Sequence, residues 1–333
     1  MSGTHLPSAI GGYFELEQAP GGGEYYATEY KYQSARAAFA ALLSHVRPKR
    51  IWMPWYNCDT MLEGPEAAGV EVRRYGLDGQ LYPRGIEGLG QGDCLLYVNY
   101  FGVCDRQVGR LLKEYSPERV ILDYSQAFFS HPQDCIGTLY SPRKFFGVPD
   151  GGYLLTRIPI QDPRERDTDS YKRMEPLLIR FAEGPEAGYP AIQKARYSLR
   201  RQPPKAMSAL TESMLRHIDY EAALRRRRDN FMSLHRALGE RNRFPLPPEL
   251  ATGPLCYPFL CEAEHLHEWL IRNRVFVGHY WPEVRGPNGQ DDDLELILKQ
   301  RCVPLPCDQR YGREEMERII ALVESSPGGR DRR

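Results

Sequence analysis

The sequence predicts an α/β protein: a mostly parallel central sheet flanked by helices, followed by a smaller C-terminal α+β domain. Three observations predict it. Short apolar runs alternate with amphipathic helical stretches from about residue 30 to 156. One of those runs, 93–101 (DCLLYVNYF), is almost continuously apolar, as a parallel strand covered on both faces has to be. A Pro-rich break at 244–248 (FPLPP) then separates the alternating part from a strand–helix–strand remainder. The division read from this is a large domain over 1–240 and a small one over 241–333.

Residues 1–23 read as an irregular arm ending in Gly21-Gly22-Gly23, which follows no strand and lacks the dinucleotide-binding spacing. A helix is expected over 32–45, where apolar residues recur at helical spacing behind Ser34, a good N-cap. A strand follows at 50–54, then Trp55 to Thr60 opening a second helix, and a strand at 70–75. The run at 93–101 ends in Asn99-Tyr100-Phe101-Gly102, and a helix at 105–115 returns the chain to a strand at 119–123. Further strands are expected at 136–140 and 151–156. Residues 157–206 are charged and Pro-rich and read as surface loops around one or two helices, with Arg196, Arg200, Arg201 and Lys205 as cationic candidates for substrate binding. A long connecting helix is expected over 207–240, its Arg225–Arg228 run facing water or paired with acids. Beyond the break come a strand (255–260), a helix (263–273), a strand (275–279), a Gly/Asp-rich loop, a short strand (302–305) and a last helix (313–323).

Composition excludes several classes of function. Lys+Arg and Asp+Glu both number 44 in 333 residues, so the chain carries no bulk charge with which to hold nucleic acid. No apolar run approaches the roughly 20 residues of a membrane span. The first residues lack a basic start and an apolar core, so no signal peptide is expected. Eight scattered cysteines with no CxxC pair read as reduced thiols, and a cytoplasmic location follows. His265-x-His267 starts a helix with no third ligand nearby, so no metal is expected.

The chemistry concentrates in 120–152, VILDYSQAFFSHPQDCIGTLYSPRKFFGVPDGG. An apolar strand ends on Asp123; Gln126 follows three residues later; a second apolar run leads to Ser141, Lys144 and Gly151-Gly152. In open α/β sheets ligands sit beyond the carboxyl ends of the strands, which is where Asp123 falls.

This block resembles the centre of fold-type-I pyridoxal-phosphate (PLP) enzymes, specifically the DegT/DnrJ/EryC1/StrS aminotransferase-like group. The resemblance implies that Lys144 forms the Schiff base with pyridoxal 5'-phosphate. It implies that Asp123 pairs with the pyridine nitrogen and that Gln126 lies by the ring oxygen. The phosphate would be held around Ser34-Ala35-Arg36 and by Ser141. An aromatic after the strand at 50–54 lies on the ring face in the group: Tyr56 is the candidate, with Cys58 at another matching position. Asn99 and Tyr100 match a turn that points into the same crevice. Co-linear matches run from about residue 30 to 325.

Two features depart from the sugar aminotransferases. Their phosphate-binding Ser, five residues before the lysine, is Leu139 here, while Ser141 stands three before it. Their downstream Asn-x-Arg-Met motif is not found; Pro203-Pro204-Lys205-Ala206-Met207 stands near its place. The function implied is a PLP-dependent aminotransferase acting on a keto-sugar or similar small carbonyl, working as a homodimer with shared active sites. Two alternatives stay open: a PLP-dependent lyase or transferase on an amino-acid substrate, and an inactive homologue acting as a binding protein.

Overall fold

The computed structural model describes residues 13, 14, 16–18, 21–163, 165–246, 252–263, 265–290 and 293–327. Most of the arm predicted at 1–23, and part of the break at 244–248, lie outside the described residues.

Eight strands form one sheet: β1 (Lys31–Tyr32), β2 (Arg50–Pro54), β3 (Glu71–Leu77), β4 (Pro83–Arg84), β5 (Asp93–Val98), β6 (Val120–Tyr124), β7 (Gly137–Tyr140) and β8 (Gly152–Leu155). Their spatial order is β1-β8-β7-β6-β5-β2-β3-β4. The central pairs β7–β6, β6–β5, β5–β2 and β2–β3 are parallel. β8 runs antiparallel to β7, β1 to β8, and β4 to β3. The chain runs from β2 to β3 in one direction and then resumes on the other side of β2 with β5, β6 and β7. The carboxyl ends of β2 and β5 therefore flank a topological switch point, where such sheets open a crevice.

Alternation along the strands covers both faces. Cys94 and Leu96 of β5 join Ile51, Met53, Ile121, Leu139 and Leu154 under Phe39, Leu42 and Leu43 of helix α1 (Ala35–Val46). Leu95, Tyr97 and Val98 join Leu122, Tyr124 and Phe128 on the opposite face. Each fully buried Leu or Phe of this kind contributes about 1.5–3 kcal/mol. The expected helix at 32–45 is this α1, with Ser34 as its N-cap.

The remaining helices are α2 (Glu63–Ala68), α3 (Asp105–Glu114), α4 (Glu175–Glu183), α5 (Pro185–Tyr197), α6 (Ala209–Arg216), α7 (Tyr220–Leu238), α8 (Leu266–Arg272), α9 (Leu294–Arg301) and α10 (Arg313–Glu324). β9 (Tyr257–Leu260) and β10 (Cys302–Leu305) form a separate antiparallel pair, whose Tyr257, Phe259 and Leu305 join the core cluster of the second face. No helix among the described residues is long and apolar enough to cross a membrane.

Three expectations are corrected. The long helix over 207–240 is broken: α6 ends at Arg216, and Asp219 caps α7 by accepting from Ala222 N at 2.8 Å. Residues 275–279 alternate buried and exposed positions but pair with no strand among the described residues. Part of the loop expected before residue 302 is helix α9.

The Arg225–Arg228 run is not uniformly solvated either. Arg227 is 1% exposed, on the same helix face as Ala223 and Phe231. Its guanidinium donates to the carbonyls of Pro254 (2.9 Å), Leu255 (3.2 Å) and Phe145 (3.3 Å) and lies 4.5 Å over the Phe145 ring. It thus ties α7 to the turn after Lys144. Arg227→Ala should lower unfolding stability by on the order of 3 kcal/mol in denaturant titrations, because buried carbonyls lose their donor and a cavity opens. A loss under about 0.5 kcal/mol would show that these contacts carry little.

Candidate active site

Every candidate follows the carboxyl end of a parallel strand or starts helix α1. Tyr56 and Cys58 follow β2; Asn99 and Tyr100 follow β5; Asp123 is the penultimate residue of β6 and Gln126 follows that strand; Ser141 and Lys144 follow β7. Register fixes Asp123 between Val98 of β5 and Leu139 of β7.

Asp123 is 4% exposed. Its Oδ1 accepts from Ser125 N at 2.8 Å, and no described residue donates to Oδ2. Gln126 is fully buried, and its Oε1 accepts from Phe101 N at 2.7 Å. That bond leaves Nε2 as a buried donor with no partner. An unmade bond of this kind costs about 1–3 kcal/mol unless a ligand accepts it. Beside a free carboxylate oxygen, it fits a heteroaromatic ring that offers an N–H at one position and an oxygen at another.

Lys144 closes a short 3-10 turn (Pro142–Lys144) after Ser141, donating its backbone N–H to the Ser141 carbonyl at 3.1 Å. Its side chain keeps solvent-accessible surface. Yet protein surrounds it densely enough to lower the amine's pKa from 10.5, burial being the largest cause. The side chain is thus exposed to solvent and at the same time closely flanked by other charged groups. Arg196 and Arg36 push the pKa further down, while Asp123 and Cys58 oppose them. These five side chains therefore share one region. Asp123 and Lys144, separated by 21 positions in the chain, are electrostatic neighbours.

The Gly pair after the lysine has a steric reason. Gly151 has φ +122°, and a Cβ on Gly152 would lie 2.2 Å from the Ser34 carbonyl carbon. β8 thus passes directly against the start of α1, bringing Ser34, Ala35 and Arg36 toward the lysine turn. Ser34 Oγ accepts from Ala37 N at 3.2 Å, and its own proton goes to no described residue. Ser141 Oγ makes no hydrogen bond among the described residues. Arg36 is held by Glu63 at 3.1 Å and by the Leu199 carbonyl at 3.3 Å.

Other candidates are placed differently. The Tyr56 ring is enclosed, 4.6 Å from Trp281 and 5.5 Å from Tyr100 between ring centroids. Cys58 is among the groups acting on Lys144, its Sγ 3.0 Å from Thr60 Oγ1. Cys58 is thus an electrostatic neighbour of the lysine, and the Tyr56 ring packs in the core. Asn99 spends both side-chain ends on the start of α3, accepting from Cys104 N (2.9 Å) and donating to Asp105 (2.6 Å). Tyr100 donates to the Tyr56 carbonyl at 2.9 Å. Asn99 and Tyr100 are both completely buried and shape the crevice wall from behind.

Of the cationic candidates, Arg200 pairs with Glu63 at 2.9 Å, Arg201 with Glu66 at 4.0 Å and Lys205 with Glu165 at 3.5 Å. Arg196 alone of the four has no carboxylate partner among the described residues. Open surface grooves lie elsewhere: about 470 Å³ beside Phe146–Val148 and about 750 Å³ along Glu24–Lys31. Neither is lined by Asp123, Gln126 or Lys144.

Glu63 draws Arg36, Arg200 and the Arg201 N–H (2.9 Å) to one carboxylate. Burial alone would raise its pKa, but these donors hold it below 4.5. A depressed carboxylate pKa contributes stability that is full above the unfolded value and is lost as pH falls through the folded one. Melting temperature followed against pH should therefore fall below about pH 4.5 more steeply in the native chain than in Glu63→Gln. Parallel profiles would remove Glu63 from the account.

No protein-family model matches the chain, and no curated protein matches it. Solved structures do. The sugar aminotransferase CalS13 from Micromonospora echinospora is similar with a TM-score of 0.58 and 15% identity, over 89% of this chain and 86% of that one. A DegT DnrJ EryC1 StrS aminotransferase from Brucella abortus gives a TM-score of 0.58 at 13% identity, over 89% and 84%. Spr1654 from Streptococcus pneumoniae in its PMP-form gives a TM-score of 0.61 at 13% identity, over 88% and 86%. The chain has the fold of the DegT/DnrJ/EryC1/StrS-type aminotransferases, fold type I of the PLP-dependent transferases.

Proposed function

We propose that the chain is a PLP-dependent aminotransferase acting on a keto-sugar or similar small carbonyl substrate. One observation carries the reading: Asp123 with a free Oδ2, Gln126 with a buried unpaired Nε2 and Lys144 with a depressed amine pKa lie at one sheet edge. Sugar aminotransferases of the same fold support the substrate class, and a PMP-form structure supports the cofactor, PMP being its amine form.

Bound pyridoxal phosphate supplies an aldehyde and a ring that can take up an electron pair from the substrate carbon. The chain's residues do the rest. Lys144 presents a neutral amine at lower pH than a free lysine and so is the attachment point. Its Nζ would also be the base and acid that moves a proton at the substrate carbon. Asp123 Oδ2 would accept from the ring nitrogen and keep it protonated. Gln126 Nε2 would donate to the ring oxygen. Ser34, Ser141 and the N-terminal end of α1 would hold the phosphate. The amides of Ala35 and Arg36 belong to that end, and Cys58 borders the ring.

Lys144 is exposed in the single chain, which fits cover by a second copy, so a homodimer is proposed, with a large unit over 1–240 and a small one over 241–333. All eight cysteines are free, in keeping with a cytoplasmic location. Incubating the loaded protein with a panel of amino acids tests the reaction class. Conversion of the bound aldehyde to its amine, reversed by a keto-sugar, is expected. Loss of the donor's carboxyl or side chain without amine transfer would mark a lyase instead.

A further inference from the structure

Around Lys144 the guanidiniums outnumber the carboxylates free to pair with them. Arg36 is tied to Glu63, and Arg173 to the buried Asp167. Arg143 and Arg196 have no carboxylate within ion-pair distance among the described residues. Asp150, the acid that acts on Arg143, is already occupied by Ser208 N at 2.8 Å, Ser208 Oγ at 2.6 Å and Thr211 Oγ1. Arg143 Nε is buried and makes no hydrogen bond. Arg36 and Arg196 act electrostatically on both Arg143 and Lys144, so the four cations lie in one neighbourhood. Burial is the largest cause lowering the Arg143 pKa, to about 10, with Arg173, Arg36 and Arg196 adding to it. Cations gathered in this way, with a buried donor unmade, destabilise the chain unless an anion occupies the space.

We propose that Arg143 and Arg196 form the charged wall of a site for a phosphate dianion beside Lys144. Two guanidiniums match a group with two charges and several acceptor oxygens, which they can grip by paired N–H bonds. The start of α1 faces the same turn and adds its positive end. At position 139, where a hydroxyl would otherwise serve, Leu139 is fully buried in the core under α1 and cannot reach. The arginines supply in charge what that position lacks.

This deepens the aminotransferase reading and rests on it only for the two sources of phosphate it names: the cofactor's own, or one carried by the carbonyl substrate. The test titrates cofactor-free protein with inorganic phosphate, pyridoxal phosphate and pyridoxal, by calorimetry and absorbance. Native protein, Arg143→Met, Arg196→Met and Lys144→Ala are compared.

Inorganic phosphate should bind the native chain and bind each arginine variant roughly tenfold more weakly or worse. Cofactor-free Arg143→Met should melt no lower than the native chain, because it removes an unpaired cation. Pyridoxal phosphate weakened in the variants, with pyridoxal unchanged, assigns the site to the cofactor. Unchanged pyridoxal phosphate, with inorganic phosphate still binding the loaded native protein but not the loaded variants, assigns it to the substrate. Both outcomes support the proposal.

Inorganic phosphate that fails to bind the native chain, or binds native and both variants alike, overturns it. If Arg143→Met does not fold, Arg196→Met, altered at an exposed residue, decides alone. Arginine-dependent phosphate binding in a protein that never attaches pyridoxal through Lys144 would sink the aminotransferase reading and leave this one standing.

Discussion

Lys144→Ala is expected to lower amino-transfer turnover by ~10³-fold or more, since one side chain provides both the attachment point and the proton carrier. The variant should still bind the cofactor through Asp123, Gln126 and the phosphate contacts, but without the absorbance change that marks attachment. The native protein's pH dependence carries the same signature. A lowered lysine pKa means the neutral amine appears at lower pH than the 10.5 of an ordinary lysine. Attachment followed spectroscopically should therefore rise with pH through a midpoint below that value. A midpoint at or above it would show that the cleft does not desolvate the amine.

Asp123→Asn should follow with the next largest effect. The substitution keeps size and the capacity to accept from Ser125 N but removes the charge that stabilises a protonated ring nitrogen. Loss of a charge-assisted bond alone corresponds to roughly 10–100-fold in cofactor affinity. Turnover should fall further, about a hundredfold or more, because the ring loses its pull on the substrate's electrons. The diagnostic comparison is between rate and stability. A variant that melts like the native chain, or higher, yet turns over slowly assigns Asp123 to the chemistry. A variant with unchanged kinetics would assign it to holding the β6 turn through Ser125.

Much of the fold was legible because the parallel strands are written in residue types that suit no other place. Asp93 to Val98 and Val120 to Tyr124 are buried at every position, and the sequence shows them as apolar runs interrupted only by Asp93 and Asp123. The start of α1 was legible from Ser34, a local signal. The short edge strands β1 and β4 carry too few residues to show a period. The break between α6 and α7 lay in a capping aspartate, Asp219, inside an otherwise helical pattern.

At the candidate site, strand-end logic pointed to Asp123, and the resemblance supplied the roles proposed for Gln126 and Lys144. It did not tell Tyr56 from Cys58, because which residue of a turn faces inward depends on what packs behind it, here Trp281 and Tyr100. The Arg225–Arg228 run misled for a related reason. Charge argues for water, but position 227 falls four residues after Ala223 and four before Phe231, on the buried face. Arg196 could not be singled out among four cations until their partners were known.

The central claim is that the Lys144 amine and the Asp123 carboxylate serve one bound aldehyde. Borohydride reduction of the cofactor-loaded protein, followed by peptide mass spectrometry, tests it most directly. A stoichiometric pyridoxyl adduct confined to the peptide carrying Lys144, and absent from Lys144→Ala, is the predicted result. An adduct spread over other lysines, or none at saturating cofactor, would contradict it.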